Sequence, residues 1–185
     1  MKHSIVLAAL LGFAGFAAVS QFLPRAHAQA SSSSQTALEE GKRLYRTNCA
    51  GCHKWHGNGG GGYGGDALSL RRTSLTKEQI ILTVECGRPG TGMPYHLRDA
   101  YENPEKMCYG YGKDEPPPQK VLEANNFLRP SEIELIVDYV LARIKGHGAP
   151  DYAECIDFFG NGSRVCNIYK SMEEPATGLA SAKGE

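Results

Sequence analysis

Five consecutive residues carry the chemistry that this chain can do: Cys49-Ala50-Gly51-Cys52-His53. Two thiols separated by two small residues, with an imidazole directly after, form the C-x-x-C-H pattern of covalent haem attachment. The geometry explains the spacing. Each thiol adds across one haem vinyl group, and the adjoining imidazole meets the iron from the same side of the ring. Ala50 and Gly51 allow the backbone close to the macrocycle. The same thiols could form a redox dithiol or half of a zinc site. Zinc needs a second ligand pair at matching spacing, and the dithiol needs a strand–motif–helix setting. The sequence offers neither.

A haem iron has a second axial position, and Met93 is the candidate for it. It sits in Arg88-Pro89-Gly90-Thr91-Gly92-Met93-Pro94, a rigid turn rather than an apolar helix face. A thioether is a weak ligand and cannot organise its own loop, so rigid presentation suits it. Met107 adjoins Cys108, has no glycine–proline clamp and reads as packing. Met172 falls in a polar tail. His56 is too close to His53 to reach the opposite haem face. His96, three residues past Met93, is the real rival and would give a bis-histidine iron of lower potential. We expect it instead at the surface or beside a haem propionate.

Several helices must position these groups. A first one is predicted from Ala37 to about Thr47, with Leu38, Leu44 and Tyr45 on one face. Gly41 within it costs up to ~1 kcal/mol against alanine, and a close helix crossing is a reason to keep it. After the motif comes Gly57-Asn58-Gly59-Gly60-Gly61-Gly62-Tyr63-Gly64-Gly65. It does not fit a phosphate loop, because no Lys-Ser/Thr follows. It reads either as chain passing tightly by a flat cofactor or as a mobile surface loop. Thr76 with Gln79 makes a capping box for a second helix, Leu75 can staple to Ile80, and Gly87 ends it. Leu68, Leu70, Ile80, Ile81, Val84 and Val137 are candidate haem-wall residues. Residues 97–126 read as an irregular, tyrosine-rich insertion, with a short helix over Val121–Phe127. Ser131 and Glu134 look like the capping box of a last strong helix, whose Ile133, Ile136, Val137, Val140 and Ile144 recur at helical spacing until Gly146.

The 185-residue chain opens with Lys2-His3, an apolar run from Ile5 to Val19, and a small-residue site at Ala26-His27-Ala28. This reads as a secretory signal peptide over 1–28, cleaved after Ala28. The run is shorter than the roughly 20 residues a spanning helix needs. Residues 29–36 read as a polar, disordered lead-in. The expected location is the periplasm, where disulfides persist. Lys+Arg and Asp+Glu both number 20. Removing the leader, which carries Lys2 and Arg25, leaves a slight acidic excess. No basic run suggests nucleic acid. Besides the motif pair, Cys86, Cys108, Cys155 and Cys166 remain. They allow three connectivities. We expect Cys86–Cys108 and Cys155–Cys166, since each closes a local loop in its own segment.

Helix, C-x-x-C-H, glycine-rich loop, capped helix, Gly-Met-Pro and a final amphipathic helix together resemble the class I cytochrome c family, from Ala37 to Lys145 with 97–126 unmatched. The resemblance implies an all-α, cytochrome c-like fold of three to five helices around one covalent haem c, within a domain spanning 37–146. A disulfide-clipped extension and tail would follow over 147–185. It implies Cys49 and Cys52 as haem thioethers, His53 and Met93 as axial iron ligands, and no catalytic residue. It also implies that Gly41 and Tyr45 cross a last helix at Tyr139. One departure stands out. Many relatives have Gly-Pro after the motif, and that proline's carbonyl orients the histidine; here the place reads Gly65-Asp66-Ala67-Leu68. Some other carbonyl must serve. The extra cysteines, the tyrosine-rich insertion and the clipped extension more loosely resemble cytochromes associated with methanol or other quinoprotein alcohol dehydrogenases of methylotrophic bacteria. The expected role is a one-electron carrier between such a dehydrogenase and a cytochrome or oxidase. The alternatives are a permanently bound haem subunit of a larger complex and a small haem peroxidase, which would need an open iron site in place of Met93.

Overall fold

Why the last helix starts where it does shows how this chain builds its elements. Helix α4 (Pro130–Arg143) has Pro130 in its first turn, where the missing N–H costs nothing, and Arg129 as its cap. The Glu132 carboxylate accepts from the Arg129 backbone N–H at 2.8 Å. The box expected from Ser131 and Glu134 is therefore absent: the helix starts upstream of it, where the Glu132 carboxylate accepts from both the Arg129 backbone N–H and its guanidinium. Proline favours the first helical position and pulls the start upstream.

The computed structural model describes residues 23–60, 67–102, 104 and 108–173, with side chains from 33 to 170. Of the expected leader over 1–28, residues 1–22 lie outside the described residues, as do the glycine run from Gly61 to Gly65 and Met107. The chain divides into two units, Met1–Thr36 and Ala37–Glu185. Among the described residues there are six α-helices and one 3₁₀ turn, and no strands: an all-α, cytochrome c-like fold. Helix α1 runs Leu23–Asn48 and α2 is the single turn Ala50–His53. Helix α3 is Lys77–Cys86, and α5 is Tyr152–Phe159. The 3₁₀ turn Arg164–Cys166 leads into α6 (Asn167–Glu173). Residues 29–36, expected as a disordered lead-in, lie inside α1. Their polar side chains lower helix propensity without breaking it, and neither Gly nor Pro interrupts the run.

The core of the second unit gathers Leu44, Tyr45, Ile80, Val84, Ile133, Ile136, Val137, Tyr139, Val140, Ile144 and Phe158. Gly41 is needed where α1 crosses α4: a Cβ there would press into the Leu135 carbonyl and the Tyr139 side chain. Tyr45 and Tyr139 meet with ring centres 5.5 Å apart, as the resemblance implied. Helix α3 starts with the expected box: Thr76 Oγ1 accepts from Gln79 N at 3.3 Å, and Gln79 Oε1 accepts from Thr76 N at 2.9 Å. Both expected disulfides, Cys86–Cys108 and Cys155–Cys166, are present.

The insertion differs from its expected form. Residues 121–127 are irregular rather than helical, with one bridge at Glu123 and a bend at Asn125 and Asn126. Tyr95 N donates to the Leu122 carbonyl at 2.9 Å and Ala124 N to the Tyr95 carbonyl at 3.1 Å, so the segment pairs with the chain just after Met93. Backbone partners at Tyr95 and His96 outweigh the local helical spacing here. The insertion also has a small core of its own, from Cys86, Leu97, Ala100 and Cys108 with Tyr95 and Tyr101 packed against it.

Candidate functional site

The motif turn grows directly out of α1. Cys49 N donates to the Tyr45 carbonyl at 2.9 Å, and the Cys49 carbonyl accepts from His53 N at 2.9 Å. Cys49, Cys52 and His53 thus sit on one turn of chain. Among the described cysteines, Cys49 and Cys52 are the two free thiols. Burial, with Cys52 nearby, pushes the Cys49 thiol up to about 12, so it rests as a neutral thiol.

The orienting carbonyl is that of Leu68, which accepts from His53 Nδ1 at 3.1 Å. That bond puts the proton on Nδ1 and leaves the Nε2 lone pair free, the tautomer a metal needs. Burial lowers the His53 pKa and the Leu68 carbonyl partly opposes it, so the ring is held neutral. The base of the glycine-rich loop delivers Leu68 to this place. Gly59 N donates to the His53 carbonyl at 3.1 Å, Gly60 N to Ala67 at 2.9 Å, and Leu70 N to the Gly57 carbonyl at 2.7 Å. Gly57 and Gly59 have φ of 74° and 66°. A Cβ on Gly57 would strike Ile144, and one on Gly59 the Ala67 carbonyl. The protein's own packing already requires these two glycines, and that pairing escaped sequence reasoning.

Behind the motif, the carboxy-terminal extension closes over Trp55. The Trp55 ring lies 6.2 Å from Phe158, 5.9 Å from Phe159 and 5.3 Å from Tyr169. Arg71, 5% exposed, ties the same region together. Its Nε donates to the His56 carbonyl at 2.6 Å and one terminal nitrogen to the Gly148 carbonyl at 2.6 Å, while the other pairs with Glu154. His147 Nδ1 lies 2.9 Å from the same carboxylate. His56 Nδ1 accepts from Asn58 N at 3.1 Å, so this imidazole is spent within its own turn. Neither Arg71 nor the aromatic box had a sequence signal, because their partners lie far along the chain.

The Met93 loop leaves α3 at Gly87, with φ of 64°, where a Cβ would run into the Met93 carbonyl and the Pro94 backbone. Arg88 N donates to the Met93 carbonyl at 3.1 Å, and Met93 N to Thr91 Oγ1 at 3.2 Å. Met93 is half-buried against the main core. Of the two places expected for His96, the surface is ruled out, since the residue is 5% exposed. Its backbone N donates to Val84, its carbonyl accepts from Leu128 N at 2.8 Å, and its Nδ1 lies 3.2 Å from the Asn126 carbonyl. Pairing of the 95–96 chain with the 122–128 segment draws it inward.

The donor set fits a covalent haem c: two free thiols on one turn, a neutral imidazole with Nε2 open, and a half-buried thioether. Leu68, 62% exposed beside His53, is an apolar side chain of the kind that a flat apolar ring would cover. Residues 36–100, about a third of the chain, match the family model described as cytochrome c oxidase, cbb3-type, subunit III, a c-type cytochrome domain. No curated protein and no solved structure matches the chain at a significant level. The matched domain is one whose cofactor is covalent haem c and whose role is electron transfer.

Proposed function

We propose that the c-type cytochrome domain in this chain is a mono-haem, one-electron carrier of the periplasm. In this reading Cys49 and Cys52 hold the haem through thioethers, and His53 Nε2 and the Met93 sulfur are the axial iron ligands. The observation that carries it is the His53 Nδ1–Leu68 carbonyl bond, which prepares the imidazole for metal on the same turn as two free thiols. The haem supplies the ferric–ferrous couple. The chain's part is to keep both axial groups in place in either oxidation state, so that little rearranges, and to exclude water with Ile80, Val84 and Val137. A methionine ligand and an apolar surround both raise the potential.

The donor in this reading is a quinoprotein alcohol dehydrogenase, methanol dehydrogenase among them, and the acceptor a cytochrome or an oxidase. The extra disulfides and the tyrosine-rich insertion support it. A second reading, a bound subunit of a larger oxidoreductase, draws on the oxidase-subunit family model and on the exposed Val165 and Ile168.

The test is the visible spectrum of the holoprotein. A c-type alpha band when reduced is expected, with a far-red methionine–ferric band when oxidised that Met93→Ala abolishes. Covalent haem without that band would overturn the ligand assignment. Failure of a reduced quinoprotein dehydrogenase to reduce the haem would remove that donor. Elution only within a larger complex would favour the second reading.

A further inference from the structure

The loop bearing Met93 starts at the carboxy-terminal end of α3, where helix carbonyls lose their intrahelical donors. The carbonyl of Cys86, the last helical residue, and that of Gly87 directly after it each accept from a tyrosine of the insertion. Tyr101 Oη donates to the Cys86 carbonyl at 2.7 Å, and Tyr109 Oη donates to the Gly87 carbonyl at 2.9 Å. Neither contact is local: the tyrosines lie 15 and 22 residues further along the chain. The Cys86–Cys108 disulfide ties the same two segments, and Gly90 N donates to the Lys120 carbonyl at 3.0 Å.

Tyr109 also occupies costly backbone. Its φ is 57°, in the left-handed region that a bulky residue avoids. Among the described residues one other non-glycine has positive φ: Lys54, at 64°, directly after His53. The Lys54 carbonyl is likewise held by a tyrosine, with Tyr45 Oη donating at 2.7 Å. Such backbone persists where its surroundings over-determine it. Here the two instances are the residue following one candidate ligand and the residue capping the loop of the other.

We propose that Tyr101 and Tyr109 are positioning residues for Met93: their hydroxyls fix the exit of the 87–96 loop from α3 and so hold the thioether in place. The insertion is then a clamp for the distal ligand. The proposal rests on Met93 as the axial ligand.

The experiment uses the holoprotein and compares wild type, Tyr101→Phe, Tyr109→Phe and Met93→Ala. Three quantities are read: the far-red band, the rate at which imidazole enters the ferric haem, and amide exchange at Arg88, Gly90 and Thr91. Loss of one hydrogen bond of typical net worth corresponds to about a fivefold change in loop opening. Each tyrosine variant is therefore expected to take up imidazole about fivefold faster and to exchange those amides faster. The far-red band and the global melting temperature should stay close to wild type. Unchanged imidazole entry and exchange in both variants, with the wild-type band present, would overturn the proposal alone. A wild type without the band, or Met93→Ala that keeps it, would sink the ligand assignment and the proposal with it.

Discussion

The two candidate iron ligands are held by different kinds of structure. His53 stands on a turn continuous with α1, and its orienting carbonyl arrives on a loop whose base is knitted back to His53 itself. Behind it are Tyr45 and Phe158 of the main core, and Arg71 with its three partners. Met93 itself packs against the main core, but its loop is fixed from the insertion, by two tyrosine hydroxyls, one disulfide and a short pairing with 122–124. One ligand can be disturbed only by disturbing the domain. The other is held by a few detachable bonds, and so belongs to the part of the molecule that opens first. The face that a thioether must hold against incoming ligands is therefore the more adjustable of the two.

Arg71→Met should break the comparison at its strong end. The guanidinium is buried and serves the His56 and Gly148 carbonyls as well as Glu154, so its removal strands both carbonyls and leaves the Glu154 carboxylate with His147 alone. Breaking such a pair costs about 3–5 kcal/mol. A melting temperature lower by roughly 10 °C or more is expected for a domain of this size, read by far-UV circular dichroism of the holoprotein. The far-red band should vanish only together with the fold. Early loss of the band in a still-folded protein would show that the Met93 side also depends on Arg71.

The two disulfides sharpen the contrast with near-equal covalent changes. Their loops span 11 and 22 residues, each worth about 3 kcal/mol in the chain-entropy model. Serine replacement of Cys155 and Cys166 should lower the global melting temperature and leave imidazole entry near wild type, because that bond staples α5 to the turn before α6, and both helices pack on Trp55. Serine replacement of Cys86 and Cys108 should speed imidazole entry more than it lowers melting. Identical profiles for the two double variants would dissolve the distinction between the two sides.

What the sequence disclosed and what it hid follow the same division. The motif, the Met93 turn, the α3 cap and both disulfides were legible, because each is a local pattern or a short-range closure; the Gly41–Tyr45 crossing came from the family resemblance, since its partner Tyr139 lies far along the chain. The Leu68 carbonyl was not: any backbone carbonyl can accept, and backbone leaves no trace in residue type. Arg71 and Phe158 were hidden because their partners lie far away along the chain. The segment 121–127 was misread as helix since its pairing partner at Tyr95 decides its conformation. His96 looked like a surface histidine until that same pairing drew it inside.

The smallest effect concerns pH on the Met93 side. Burial, with Tyr109 and Tyr95 close by, pushes the Tyr101 phenol from its ordinary value of 10.0 up to about 12. A folded-state pKa above the unfolded one means that the fold favours the neutral phenol, the form that donates to the Cys86 carbonyl. This contribution is fully present below about pH 10 and is lost as pH rises through about 12. Ionisation does more than the loss of the hydroxyl in Tyr101→Phe, which keeps the band at neutral pH: it sets a phenolate against the Cys86 carbonyl, so the far-red band should fade over that window in step with tyrosinate absorbance, while the c-type alpha band of the reduced protein persists, because the thioethers do not titrate. Tyr101→Phe should remove the component that tracks tyrosinate. The same midpoint in that variant would assign the transition to another group and leave the Tyr101 hydroxyl without a part in the alkaline loss of Met93.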